Sequence, residues 1–153
     1  MRILARIGAA LGIAALVAGA TTGVAAAAPP GFTVVVNHST GGRAMSVTAT
    51  MSWSASARTV TFGHVTNLIS ADECANITLT GFQGSTRVAT YPDDDLGLCT
   101  HDGIDHGIDY GTLSLTTTVP GGIDHVVIRL TDVNHKISHY ANCYRTASTC
   151  QQG

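Results

Sequence analysis

Side chains that could do chemistry are most concentrated at residues 92–111, which read PDDDLGLCTHDGIDHGIDYG and which we call the acidic segment. Six of the ten acidic residues of the chain lie here, with no Lys or Arg among them. They are Asp93, Asp94, Asp95, Asp102, Asp105 and Asp109. Calcium takes about six to eight oxygen ligands, so clustered carboxylates and accessible glycine carbonyls predict a calcium site.

Other interpretations of the acidic segment stay open. His101 and His106 with one aspartate are a possible zinc or copper site. The most concrete enzymatic version is a metal-dependent hydrolase that uses His101, Asp102, Asp105 and His106. Alternatively, the Asp and Gly residues provide local hydrogen bonds and positive φ angles in a solvated loop anchored by Cys99. The spacing matches neither an EF-hand loop nor the nonapeptide calcium repeat of β-rolls.

No catalytic arrangement is recognisable beside the acidic segment. The chain has no Gly-x-Ser-x-Gly nucleophile elbow. The remaining histidines are interpreted as structural or surface residues on or beside strands: His38, His64, His125, His135 and His139. The acidic segment lacks a strand pattern, and loops beyond about 12–15 residues are usually functional or disordered. We therefore predict a non-catalytic module that presents this segment to an extracellular protein or an envelope polymer.

The N-terminus is typical of a secretory signal peptide. Arg2 and Arg6 precede an apolar run at 7–20, which is shorter than the about 20 residues that cross a bilayer. Small residues follow, and we place the cleavage after Ala27. Residues 28–153 are then a single secreted domain with no membrane span. This domain carries six basic and ten acidic residues, a balance that argues against nucleic acid as a partner.

Four cysteines in an exported chain predict disulfides. We expect Cys74–Cys99 and Cys143–Cys150, because each pair joins neighbouring segments of the chain. A zinc site is the alternative, and the absence of a C-x-x-C pair argues against it.

Short alternating segments predict the fold. At 45–57 apolar residues alternate strictly with Ser and Thr, as expected for a strand with one buried face. Further strands are predicted at 32–37, 58–66, 75–82, 86–91, 112–119, 123–131 and 137–144. Without a helical period anywhere, these segments predict an all-β, two-sheet, immunoglobulin-like β-sandwich of seven or eight antiparallel strands.

Two resemblances follow from short motifs. Trp53, the strand at 58–65, Asp72 and the run at 122–128 resemble a group of small secreted actinobacterial β-sandwich proteins. That resemblance implies secretion and fold, and it brings no activity. Residues 88–99 are similar to one stretch of the small secreted α-amylase inhibitors of streptomycetes, which implies inhibition of a hydrolase as an alternative function. The Trp-Arg-Tyr trio of those inhibitors is missing, because Ser54 and Ala55 follow Trp53.

Overall fold

A computed structural model describes residues 32–37, 44–91, 96–134 and 136–153. These residues form strands and connections and contain no helix. The strands are β1 (Phe32–Asn37), β2 (Ala44–Trp53), β3 (Thr59–Ile69), β4 (Cys74–Gln83), β5 (Thr86–Thr90), β6 (Gly97–Cys99), β7 (His106–Asp109), β8 (Leu113–Thr116), β9 (His125–Asp132), β10 (Ile137–Tyr144) and β11 (Gln151–Gln152).

The strands form two antiparallel sheets. The five-stranded sheet has the order β1-β2-β3, and the short strands β7 and β8 both pair with β3 at its edge. The six-stranded sheet has the order β11-β10-β9-β4, with β5 and β6 sharing the edge along β4. In each sheet, one long strand is therefore bordered by two short strands placed end to end.

The core lies between the two sheets, where alternate residues of each long strand meet. Met45, Val47, Ala49 and Met51 of β2 are buried, as the period-two pattern predicted. Residues at every second position of β4 and β9 face them from the other sheet: Ala75, Ile77, Leu79, Val126, Ile128 and Leu130. The all-β, two-sheet sandwich prediction is confirmed.

Several strand bounds differ from the predicted ones, for example β8, which covers Leu113–Thr116 instead of 112–119, and two differences are larger. The pattern at 45–57 overruns β2, because Ser54 to Ala57 form a turn in which Ser54 O accepts from the Ala57 amide and Ala57 has a φ of 56°. The described residues also contain eleven strands instead of seven or eight. Three of them, β6, β7 and β11, have only two to four residues, too few for alternation to be recognised.

Both predicted disulfides are confirmed. Cys74 is directly opposite Cys99 across β4 and β6, and Cys143 is bonded to Cys150 just beyond β10. Disulfides with these short separations stabilise mainly by restricting the unfolded chain, by about 3 kcal/mol for the Cys74–Cys99 loop. The predicted signal peptide, residues 1–27, lies outside the described residues.

Candidate functional site

The acidic segment connects the two sheets. Its first strand, β6, pairs with β4 of the six-stranded sheet, and its second, β7, pairs with β3 of the five-stranded sheet. The sequence predicted a loop without strands, and this prediction is wrong, because the segment contains β6 and β7. Three predicted calcium ligands, Asp93, Asp94 and Asp95, lie outside the described residues.

Thr100 anchors the middle of the acidic segment to the connection between β3 and β4. Its amide donates to Glu73 O at 2.9 Å, and its hydroxyl donates to Ser70 O at 3.1 Å. The Glu73 amide donates to the same hydroxyl at 3.2 Å. Because Thr100 is buried, the residues on either side of it, Cys99 and His101, face solvent.

The described aspartates of the segment are occupied by nearby donors. Asp105 accepts from the Ala71 amide at 2.9 Å. Asp102 contacts the His106 ring at 2.7 Å, and Asp109 contacts the His64 ring at 3.1 Å. The contacts of Asp105 and Asp109 hold the segment against β3 and the connection that follows it, and that of Asp102 lies within the segment.

Two of these contacts favour the ionised carboxylate. The hydrogen bond with His106 is the main cause that lowers the pKa of Asp102 below its ordinary value of 3.8. The Gly111 amide, and after it the His64 ring, lowers the pKa of Asp109 in the same way. Both side chains therefore carry negative charge at neutral pH, on a surface that faces solvent.

The predicted metal ligands do not converge where they are described. Among the described residues, the group that brings three ligand atoms within 4.8 Å of one another is Cys74, Cys99 and His101. No three of the proposed hydrolase ligands do so: His101, Asp102, Asp105 and His106. The calcium site stays a prediction, because half of its ligands lie outside the described residues.

Exposed apolar side chains surround β7, a feature that the charge pattern of the sequence concealed. Leu68, Ile104 and Ile108 are 52%, 58% and 36% exposed. Leu68 lies opposite Gly107, whereas Ile108 lies opposite the buried Asn67, so Leu68 is on the outer face of the sheet and Ile108 is on the inner face at its margin. Among the described strands β7 pairs with β3 alone, so its other edge lies at the margin of the sheet. We call Leu68, Ile104, Ile108, Asp102 and Asp109 the β7 surface.

A second cluster, around His125, was also missed by sequence reasoning. The His125 ring stacks between Phe82 and Tyr144, with both ring centroids 5.0 Å away. Asp124 contacts the His125 ring and accepts from the Gly84 amide, both at 2.5 Å. Burial opposes ionisation of Asp124, but these hydrogen bonds and the charges of His125 and Arg145 lower its pKa below 3.8.

Asp124, His125 and Tyr144 of this cluster line an open cleft of about 410 Å³. Since β4, β9 and β10 contribute one stacked ring each, the cluster also binds three strands together. The available sequence signal was a third copy of Gly-Ile-Asp, at 122–124, followed directly by a histidine.

Comparison with known proteins finds no matching family model, curated protein or solved structure. The described residues include no helix long and apolar enough to cross a bilayer.

Proposed function

We propose that the chain is a secreted, non-catalytic binding module that recognises an extracellular protein or envelope polymer through the β7 surface. The observation that carries this proposal is the exposure of Leu68, Ile104 and Ile108 beside ionised aspartates. Leu68 and Ile108 flank the margin of the sheet from its two faces, and exposed apolar groups bordered by polar residues are typical of interaction sites. A partner that offers apolar groups together with cations fits this chemistry.

The order of the surface supports recognition by a preformed site. Thr100, Asp105 and the Cys74–Cys99 bridge attach the segment to the sheets before any partner arrives. A surface that is already ordered loses little conformational entropy on binding, so more of the contact energy contributes to affinity.

Export is part of the same proposal. The N-terminal pattern of a signal peptide and the two disulfides support an extracellular location, where disulfides form and persist. The resemblance to small secreted actinobacterial proteins points in the same direction.

The test is affinity capture with a matched pair of variants. The immobilised mature protein, Ile104→Ser/Ile108→Ser and Tyr140→Ser are each exposed to culture supernatant and to an envelope fraction. Tyr140, 39% exposed on the six-stranded sheet, serves as the control for lost apolar surface. We expect the double variant to lose the captured species and Tyr140→Ser to retain it. Added salt should weaken the binding of that species to the unmodified protein.

Two results would contradict the proposal. One is capture that is equal for all three proteins, and the other is no capture from either fraction. Assaying α-amylase with excess protein addresses the inhibitor alternative, because a fall in its rate would assign the function to that activity instead.

A further inference from the structure

We propose that Cys74, Cys99 and His101 form a metal site that opens when the Cys74–Cys99 disulfide is reduced. The ligand would be a thiophilic cation, either Zn²⁺ with a water molecule in the fourth position or three-coordinate Cu⁺. This site is separate from the β7 surface and does not depend on the proposed binding function.

The three ligand atoms are already close together. The two sulfurs are bonded to each other, and a ring nitrogen of His101 lies within 4.8 Å of both. Two sulfurs and one imidazole nitrogen are a donor set that zinc and copper prefer over calcium or magnesium. In the oxidised protein both sulfurs are bonded to each other, so neither is available as a thiolate ligand.

Backbone hydrogen bonds join these positions in addition to the disulfide. Cys74 and Cys99 are register partners in the β4–β6 pairing, whose next hydrogen bond is that of the Thr100 amide with Glu73 O. Two further hydrogen bonds fix the buried Thr100 hydroxyl. Since Thr100 points inward, Cys99 and His101 remain on the outside of the same short stretch.

Exposure makes this disulfide the more accessible of the two. Cys99 faces solvent at the edge of its sheet, whereas in the other bridge Cys143 is fully buried and Cys150 is partly buried. A dithiol reductant attacks the Cys99 sulfur and releases the Cys74 thiolate, and its second thiol then frees Cys99 while the reductant becomes a cyclic disulfide. Two electrons and two protons pass to the protein, and metal binding releases two thiol protons.

Cobalt(II) is the probe, because thiolate ligation to it gives a near-ultraviolet charge-transfer band. The protein is reduced with a dithiol, freed of reductant under argon and titrated with Co²⁺. We expect one equivalent to produce the band in the reduced protein and none in the oxidised protein. Displacement by Zn²⁺, and separately competition with a coloured Cu⁺ chelator, establishes which cation binds more tightly.

Three variants locate the site. Cys143→Ala/Cys150→Ala should retain the band, and Cys74→Ala/Cys99→Ala should lose it. His101→Ala should weaken Co²⁺ binding by at least about tenfold, the effect already seen when a group behind a metal ligand is lost. The inference is overturned if the band follows Cys143 and Cys150, or if His101→Ala binds Co²⁺ as tightly as the unmodified protein.

A further variant covers the case in which reduction unfolds the protein, which circular dichroism would reveal. Cys74→His/Cys99→His places three imidazoles at the same positions and needs no reductant. We expect it to bind Zn²⁺ with a His101-dependent rise in thermal stability, as expected for a ligand that binds the folded state. No rise in stability would overturn the inference.

Discussion

The tripeptide Gly-Ile-Asp occurs three times, and its isoleucine is exposed in the first two copies and buried in the third. Ile104 and Ile108 are exposed, whereas Ile123 is fully buried against Gly81. The third-position aspartates share one role, because each accepts a hydrogen bond from a backbone amide: Asp105 from Ala71, Asp109 from Gly111 and Asp124 from Gly84. The repeat is therefore a device for holding turns, and its surroundings decide which isoleucine is exposed.

The glycines of the first and third copies give a matched test. Gly103 and Gly122 both have positive φ, 76° and 73°, but a Cβ on Gly122 would lie 2.4 Å from Ala57 O, whereas one on Gly103 meets nothing within 4 Å. We expect Gly103→Ala to lower the free energy of unfolding by about 1 kcal/mol, the cost of a left-handed backbone. Gly122→Ala should cost more than about 3 kcal/mol, because backbone must also move.

Urea denaturation of the two variants and the unmodified protein measures this difference. Equal losses would mean that the turn beside Ala57 adapts freely to a methyl group, contrary to the contact that the structure places there.

At the scale of elements, β3 organises one sheet by changing partners along its length. Its first half pairs with β8 and its second half with β7. Between them, the register with β2 shifts around Ala49, which faces two residues of β3, His64 and Val65. His64 has a φ of 53°, and an extra residue of this kind bends a strand. The bend lies where Val65 exchanges hydrogen bonds with Tyr110 and Gly111, between the two partner strands.

The residue type at position 64 should therefore affect stability through the positive φ that it must adopt. His64→Gly removes a solvent-exposed contact with Asp109, worth little by itself, and relieves the positive φ. We expect its stability to stay within about 1 kcal/mol of the unmodified protein. His64→Val should lose about 1–3 kcal/mol, because a β-branched side chain tolerates this conformation poorly. Thermal or urea unfolding decides, and a Val variant as stable as the Gly variant would contradict the prediction.

Sequence reasoning succeeded for the long strands and failed for the short ones for one physical reason. In β2, β4 and β9, burial alternates over many residues, so the pattern shows both the element and its buried face. In β7, Ile108 and Asp109 are both exposed, and the strand exists because its backbone pairs with β3. The partners of the aspartates were equally hidden, since His64 and Asp109 are 45 residues apart.

At the scale of the whole molecule, the acidic segment closes one margin of the sandwich. It leaves one sheet at β6 and joins the other at β7, with the exposed disulfide at its start and Tyr110 packed against the core at its end. The disulfide pairing could be predicted because the cysteines of each pair are 25 and 7 residues apart. The crossing between sheets could not, because no local pattern specifies which sheet a four-residue strand joins.

The stability of the protein in acid depends on aspartates of the β7 surface and of the His125 cluster. The pKa values of Asp102, Asp109 and Asp124 all lie below 3.8 in the folded protein, so the unfolded chain binds protons at a higher pH than the folded one. The stabilisation by these three carboxylates is fully present above pH 3.8 and is lost as the pH falls through the lowered pKa values. Where the unfolded chain binds more protons than the folded protein, the free energy of unfolding decreases as the pH falls.

Replacing all three carboxylates should therefore flatten the acid side of the stability curve. Asp102→Asn/Asp109→Asn/Asp124→Asn is expected to be less stable than the unmodified protein at neutral pH, and the difference should shrink once the pH falls below 3.8. Urea midpoints measured across that pH range give the two curves. The His125 ring beside Asp124 is only 15% exposed, against 40% for His106 and 86% for His64, so added salt should reduce the contributions of Asp102 and Asp109 more than that of Asp124. Two parallel curves would show that the stabilising carboxylates lie elsewhere in the molecule.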